Sequence, residues 1–240
     1  YYFLGHYALN IGDDYLAKEF LKNVPGYMLF IRGTIVSLEE NQIPHAIIYF
    51  SLFLERINNT SDAYIRTDPA LCEAVKVFYG AGHDELLKQL LQVNYAGTER
   101  VQFSKLLMCA GDLWRQDGKP SEAADFYQAA INADPTYLPP QIMFAVVMRE
   151  QNQLDAAQEL LSSVISTNRP DWQAWAYFEL SLVSFRREDD LSAVCNVFQA
   201  TRLMPEITSY RDRLNTYRSL ACNHAPYSFC TADDWQACDK

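Results

Sequence analysis

Three cysteines and one histidine near the carboxyl terminus are the side chains best suited to chemistry in this 240-residue sequence. They are Cys222, His224, Cys230 and Cys238. Thiolate and imidazole groups bind zinc, but structural zinc sites pair their cysteines at short spacings. The spacing Cys-x-His-x5-Cys-x7-Cys does not match such a pattern. We therefore predict no metal and no other cofactor, and zinc stays open as the weaker alternative.

A disulfide between two of the three tail cysteines is a second interpretation of this segment. It would staple a short tail and would indicate an oxidising compartment, because disulfides persist there. Free thiols in a reducing cell are the third interpretation. The other cysteines lie among apolar residues of helical segments, where a small buried side chain is expected. They are Cys72, Cys109 and Cys195.

The common catalytic patterns are absent from the sequence. It contains no serine elbow motif and no His-Glu-x-x-His, and Tyr79-Gly80-Ala81-Gly82 lacks the Gly-Lys-Ser/Thr ending of a phosphate-binding loop. We predict that the chain is not an enzyme. Two alternatives remain: the docking or regulatory region of a larger enzyme, and a redox- or metal-responsive module that uses the tail cysteines.

The charge of the chain argues against nucleic acid as a partner. It carries 30 acidic and 20 basic residues, with no stripe of lysine and arginine to neutralise phosphates. No apolar run approaches the ~18 residues needed to span a bilayer. Tyr1 to Gly5 have the pattern of a helix interior rather than a signal peptide, so we expect a piece of a longer chain. The cytoplasm is slightly favoured, with the periplasm or another extracytoplasmic compartment as the alternative.

A repeated pattern of large and small residues organises most of the chain. Its clearest copy has Leu107, Ala110, Gly111 and Trp114 on a first helix, then Ala123, Tyr127, Ala130 and Pro135. Two helices approach closely only where small residues meet, and aromatic side chains then fill the gap between pairs. This order resembles the W-x2-L-G-x2-Y, A-x3-F, P pattern of the tetratricopeptide repeat.

The resemblance implies an all-α fold, a right-handed superhelical solenoid of about six antiparallel helix pairs. The repeat array is predicted over residues 1–206, with its best copies at 104–137, 138–171 and 174–207. Less regular copies fall at about 26–58 and 67–94. A capping helix is predicted at 207–221, because apolar residues recur there every three or four positions. A cysteine-containing tail follows at 222–240, without helical periodicity.

In proteins of this family the first helix of each pair lines a concave groove. By that resemblance the groove residues here are Met108, Arg115, Ile142, Val146, Arg149, Trp175, Phe178, Leu182 and Phe185. Their apolar character predicts a partner that brings an apolar helix or a hydrophobic peptide segment. The alternative is that the chain itself covers part of this stripe. We predict a non-enzymatic scaffold or adaptor subunit of a larger protein assembly.

Overall fold

The computed structural model describes residues 1–24, 28–59, 69–95, 100–225, 227–231 and 235–238. This part of the chain contains fourteen α-helices, two short 3-10 helices and no strand. The all-α prediction is therefore confirmed. The chain divides into two compact units, Tyr1–Tyr137 and Leu138–Lys240, and each is described by itself.

Unit 1 is built from consecutive helix pairs joined by short turns. Its helices are α1 (Tyr2–Asn10), α2 (Asp14–Leu21), α3 (Met28–Glu39), α4 (Ile43–Asn59), α5 (Pro69–Gly80), α6 (Asp84–Lys88), α7 (Arg100–Gln116) and α8 (Pro120–Ala133). A 3-10 helix, Gln89–Gln92, extends α6. Each first helix packs against the second helix that follows it.

Unit 2 continues the same alternation and ends in a cap. Its helices are α9 (Pro139–Glu150), α10 (Leu154–Ile165), α11 (Pro170–Arg186), α12 (Asp190–Leu203), α13 (Thr208–His224) and α14 (Ser228–Thr231), followed by a 3-10 helix at Gln236–Cys238. Helix α13 packs against α12, so it takes the place of the first helix of a further pair.

A left-handed residue marks the turn inside every described pair. Two residues before each second helix, φ lies between 58° and 80°. These residues are Gly12, Asn41, Gly82, Gly118, Asn152 and Glu188. Glycine and asparagine adopt this conformation at little cost. The common turn confirms about six pairs, including the two less regular copies whose register the sequence left open.

Close approach of α7 and α8 depends on Gly111. A Cβ atom at this position would lie 2.9 Å from Cε1 of Tyr127 and 3.1 Å from Cβ of Phe126. Trp114, one turn further along α7, is buried with its ring 4.7 Å from that of Phe126. Gly111 thus lets α7 and α8 approach closely, and Trp114 packs against Phe126 of α8 in the same contact.

Replacing Gly111 by alanine is expected to lower the free energy of unfolding by ~1–3 kcal/mol, because the added methyl overpacks the α7–α8 contact. Gly80→Ala is the matched control, since no atom lies within 4 Å of its Cβ position. There alanine is expected to stabilise by up to about 1 kcal/mol, because it restricts the unfolded chain. Urea unfolding of both variants measures the difference, and equal midpoints would contradict the predicted clash.

The carboxyl-terminal segment is more ordered than its sequence indicated. Helix α13 runs to His224, beyond the predicted boundary at 221, and α14 follows. Phe229 is fully buried in a cluster with Val197 and Tyr217, and the Trp235 ring stacks 4.2 Å from that of Phe198. Four-residue helices are too short to show a period, so the sequence pattern did not reveal this packed cap.

Candidate functional site

Four large apolar side chains form one stripe along α11, which is the first helix of its pair in unit 2. The residues of this aromatic stripe are Trp175, Phe178, Leu182 and Phe185. Their spacing of three and four residues places them on one helix face. The Phe178 ring stacks on Tyr210 at 4.8 Å and the Phe185 ring on Tyr217 at 4.7 Å.

Helix α13 therefore covers one side of the aromatic stripe and leaves the other open. Leu182 packs against the core cluster that contains Tyr217. Phe185 keeps 42% of its surface exposed although its ring is stacked. Trp175 is half-buried, 6.2 Å from the ring of Trp172. The open part of the stripe is thus an exposed aromatic surface whose Phe185 ring is fixed by stacking on Tyr217 of α13.

Two residues predicted for the groove do not reach the surface. Ile142 is fully buried and Val146 is 6% exposed, so neither side chain offers area to a partner. Helix α9 is buried over most of its circumference, with Ala145 and Val147 also in the core. An all-round apolar helix gives no periodic signal that separates core positions from groove positions.

Arg149 is likewise enclosed, in an ion pair that the sequence prediction missed. Its Nη2 lies 3.2 Å from Oε2 of Glu179, and both side chains are largely buried, at 15% and 12% exposure. Burial raises the pKa of Glu179, and the charge of Arg149 opposes that shift only in part. The Arg213 guanidinium lies over the Tyr217 ring at 5.4 Å. Arg149 of α9 thus pairs with the helix that carries the stripe, and Arg213 of α13 contacts the tyrosine on which Phe185 stacks.

In unit 1, Met108 and Arg115 are half-buried on α7. Asp112 lies between them and accepts a hydrogen bond of 2.5 Å from the hydroxyl of Tyr127. Burial raises the pKa of Asp112, while the Tyr127 hydrogen bond and the Arg115 charge lower it. The hydrogen bond joins Asp112 of α7 to Tyr127 of α8. Met108 is the apolar member of the two groove residues predicted on α7.

Two features are absent from the described residues. They contain no group of three histidine, cysteine, aspartate or glutamate side chains placed to hold a metal ion. None of the described helices is long and apolar enough to cross a membrane.

Comparison with known proteins agrees with this helix-pair geometry. A sequence model of the tetratricopeptide repeat matches residues 115–179, which contain the whole predicted copy at 138–171 and parts of the copies at 104–137 and 174–207. Residues 115–179 therefore have the tetratricopeptide-repeat pattern. No curated protein matches it in sequence.

Two solved structures show how far the likeness in fold extends. YrrB, described as a TPR protein with an unusual peptide-binding site, has a TM-score of 0.51 at 16% identity, covering 81% of this chain and 95% of YrrB. MamA has a TM-score of 0.50 at 15% identity, covering 77% of this chain and 94% of MamA. At such identities the likeness concerns the fold alone.

The three helical cysteines, which we expected to be small buried side chains, are all bonded in disulfides. Cys72 of α5 is bonded to Cys109 of α7, and Cys195 of α12 to Cys238 in the tail. Cys222 is bonded to Cys230. The Cα atoms of each pair lie 4.9–5.8 Å apart, within the usual range for a disulfide.

The pairing removes the groups that a metal-responsive tail would need. All six cysteines are bonded, so none supplies a thiolate to zinc. His224, the fourth member of the predicted set, contacts the carboxylate of Asp190 through Nδ1. The tail is therefore a doubly stapled cap on α12 and α13.

Proposed function

We propose that this chain is a non-catalytic scaffold that binds an apolar helix or a hydrophobic peptide segment of a partner protein on the aromatic stripe of unit 2, as a subunit of a larger assembly. One observation carries the proposal: Phe185 is 42% exposed although its ring is stacked on Tyr217. Aromatic residues in fixed positions are typical of the centres of protein interfaces.

The stacking contacts make the stripe ready for a partner before binding. Phe178 and Phe185 are held by Tyr210 and Tyr217, so little side-chain freedom remains to be lost on binding. An apolar helix presents side chains every three or four residues, which is also the spacing along the stripe. YrrB, the similar repeat protein, is described as having a peptide-binding site, which supports a peptide as ligand.

The ionisable groups beside the stripe support binding rather than catalysis. Glu179 is largely buried and paired with Arg149, so its carboxylate is engaged in holding α9 and α11 together. A general base needs a free acceptor within hydrogen-bond reach of a substrate proton. The Glu179 carboxylate does not meet that requirement.

Peptides selected from a displayed library against the wild-type chain provide the ligand for a direct test. Phe185→Ala and Trp175→Ala are each expected to weaken binding of a selected peptide by ~30-fold, which corresponds to ~2 kcal/mol for a central aromatic contact. Fluorescence polarisation of the labelled peptide measures the dissociation constant. Leu220→Ala is the matched control, because Leu220 is also apolar, exposed and in unit 2, but on α13.

Peptide binding that is equal in all three variants, with unchanged helix content by circular dichroism, would show that the stripe is not the binding surface. Selected peptides that contain neither an apolar i, i+3, i+4, i+7 pattern nor a continuous hydrophobic segment would contradict the proposed partner class.

A further inference from the structure

Asn58 lies in the last turn of α4, within the sequence Asn58-Asn59-Thr60. A triplet of asparagine, any residue but proline, and threonine or serine is the acceptor sequence for N-linked glycosylation. Asn59-Thr60-Ser61 is a second, overlapping triplet. The Asn58 side chain is exposed. A bulky glycan needs such a surface position, because it cannot be packed inside the fold.

A hydrogen bond shows which atom of the Asn58 amide is available for modification. Its Oδ1 accepts the backbone N–H of Asn94 at 3.0 Å. Only the amide oxygen can accept from an N–H group, so the orientation of the amide is settled. None of the described residues forms a hydrogen bond with Nδ2. Glycosylation uses Nδ2 and leaves the oxygen an acceptor, so the contact with Asn94 is compatible with a glycan.

Asn58 also lines an open cavity of about 570 Å³ in unit 1. Polar side chains of α4 and of the 3-10 helix that follows α6 form part of its wall, among them Glu55, Gln89 and Gln92. Gln89 and Gln92 are exposed. Amide and carboxylate groups can hydrogen-bond the hydroxyl groups of sugars. The cavity therefore offers the first sugars of a glycan both room and polar partners beside the acceptor.

The three disulfides agree with passage through a compartment where this modification occurs. Disulfides persist in oxidising compartments, and the lumen of the endoplasmic reticulum, where N-linked glycans are added, is one of them. We propose that Asn58, whose amide lies at this cavity, carries an N-linked oligosaccharide.

The oligosaccharide comes from a lipid-pyrophosphate donor. Nδ2 of Asn58 forms a bond to the anomeric carbon of the first sugar, and the bond from that carbon to the pyrophosphate oxygen breaks. The lipid pyrophosphate leaves with the electron pair, and the amide nitrogen loses one proton.

The overlap of the two triplets provides a matched pair of variants that keep both asparagines. Thr60→Ala removes the acceptor sequence of Asn58 and retains that of Asn59, whereas Ser61→Ala does the reverse. The wild-type 240-residue chain and both variants are secreted from a eukaryotic cell behind a cleavable signal. Each is then deglycosylated by an amidase in heavy-oxygen water, which places the heavy isotope in the side chain of each residue that carried a glycan.

Peptide mapping by mass spectrometry locates the isotope. Position 58 is expected to be labelled in the wild type and in Ser61→Ala, and to lose the label completely in Thr60→Ala. A wild type without label at position 58 would overturn the proposal. Equal label at this position in Thr60→Ala would also overturn it, because the label would then come from spontaneous deamidation.

Protein isolated from its natural source gives a second measurement that needs no variant. The same mapping is expected to find the glycan on Asn58 and, before reduction, the three disulfides. Natural protein with an unmodified Asn58 would overturn the proposal, whatever the state of its cysteines.

Discussion

The double variant Cys195→Ser, Cys238→Ser is expected to have a free energy of unfolding about 4 kcal/mol below that of the wild type. For the double variant Cys222→Ser, Cys230→Ser the expected loss is about 2.5 kcal/mol. The difference follows from the chain lengths that the two bonds close, 43 and 8 residues. A bond that closes a longer loop removes more conformational freedom from the unfolded chain.

Guanidinium unfolding of the two double variants, in the absence of reductant, measures this order. The Cys72 and Cys109 pair, 37 residues apart, is a second test and should resemble the longer loop at about 4 kcal/mol. If removal of the bond that closes the short loop lowers the free energy of unfolding more than removal of either other bond, loop length does not determine how much these disulfides stabilise the fold. The wild type in excess reductant should lose more stability than any one double variant.

The same bonds bear on the compartment in which the chain folds. Alkylation of the native protein under denaturing, non-reducing conditions is expected to add no thiol adduct, because all six cysteines are paired. Disulfides are rare in reducing cytosol and common in secreted and periplasmic proteins. We infer that the extracytoplasmic alternative is favoured over the cytoplasm. Six adducts on protein isolated from its natural source would contradict this inference.

Arg149→Met is expected to cost ~3 kcal/mol of stability at pH 7, because it leaves the carboxylate of Glu179 buried without its partner. Replacing both residues by methionine should return stability to within ~1 kcal/mol of the wild type, since apolar side chains of similar volume replace a buried ion pair at little net cost. A double-mutant cycle by urea unfolding measures the coupling. Strictly additive single effects would contradict a direct pairing.

The pH dependence of the Arg149→Met variant provides an independent check. Burial already raises the pKa of Glu179 in the folded protein, and loss of the arginine charge removes the main influence that lowers it. A group whose pKa is higher in the folded state contributes stability at low pH and loses it as pH rises through the folded value. The cost of the substitution should therefore shrink as pH falls, until Glu179 is protonated in both proteins. Glu179→Gln should remove this dependence.

The helix pairs could be predicted from the sequence because their determinants are local. Gly111 and Trp114 stand one turn apart, and a turn residue such as Gly118 follows at a fixed distance, so spacing alone indicates two packed helices. The less regular pairs at 26–58 and 67–94 were harder, because their residue pattern drifts. Their turn residues, Asn41 and Gly82, still adopt the same left-handed conformation as the others.

The exposure of the predicted groove residues could not be predicted from the sequence, because it depends on neighbouring elements. Spacing correctly placed Phe178 and Phe185 on one face of α11, but it did not reveal that Tyr210 and Tyr217 stack on them. Ile142 received the same interpretation and is fully buried. Helical periodicity reports which residues share a face, and it carries no information on whether another element covers that face.

Local sequence patterns were enough to predict the all-α class, the repeated helix pairs and the turn within each pair, since small residues, aromatic residues and left-handed turn residues act within a few tens of positions. The disulfide pairing, the ion pair of Glu179 with Arg149 and the exposure of the apolar side chains became visible only in the folded chain. The ion pair and the two longer disulfides join residues 30–43 positions apart, so their formation depends on how separately specified helices pack together.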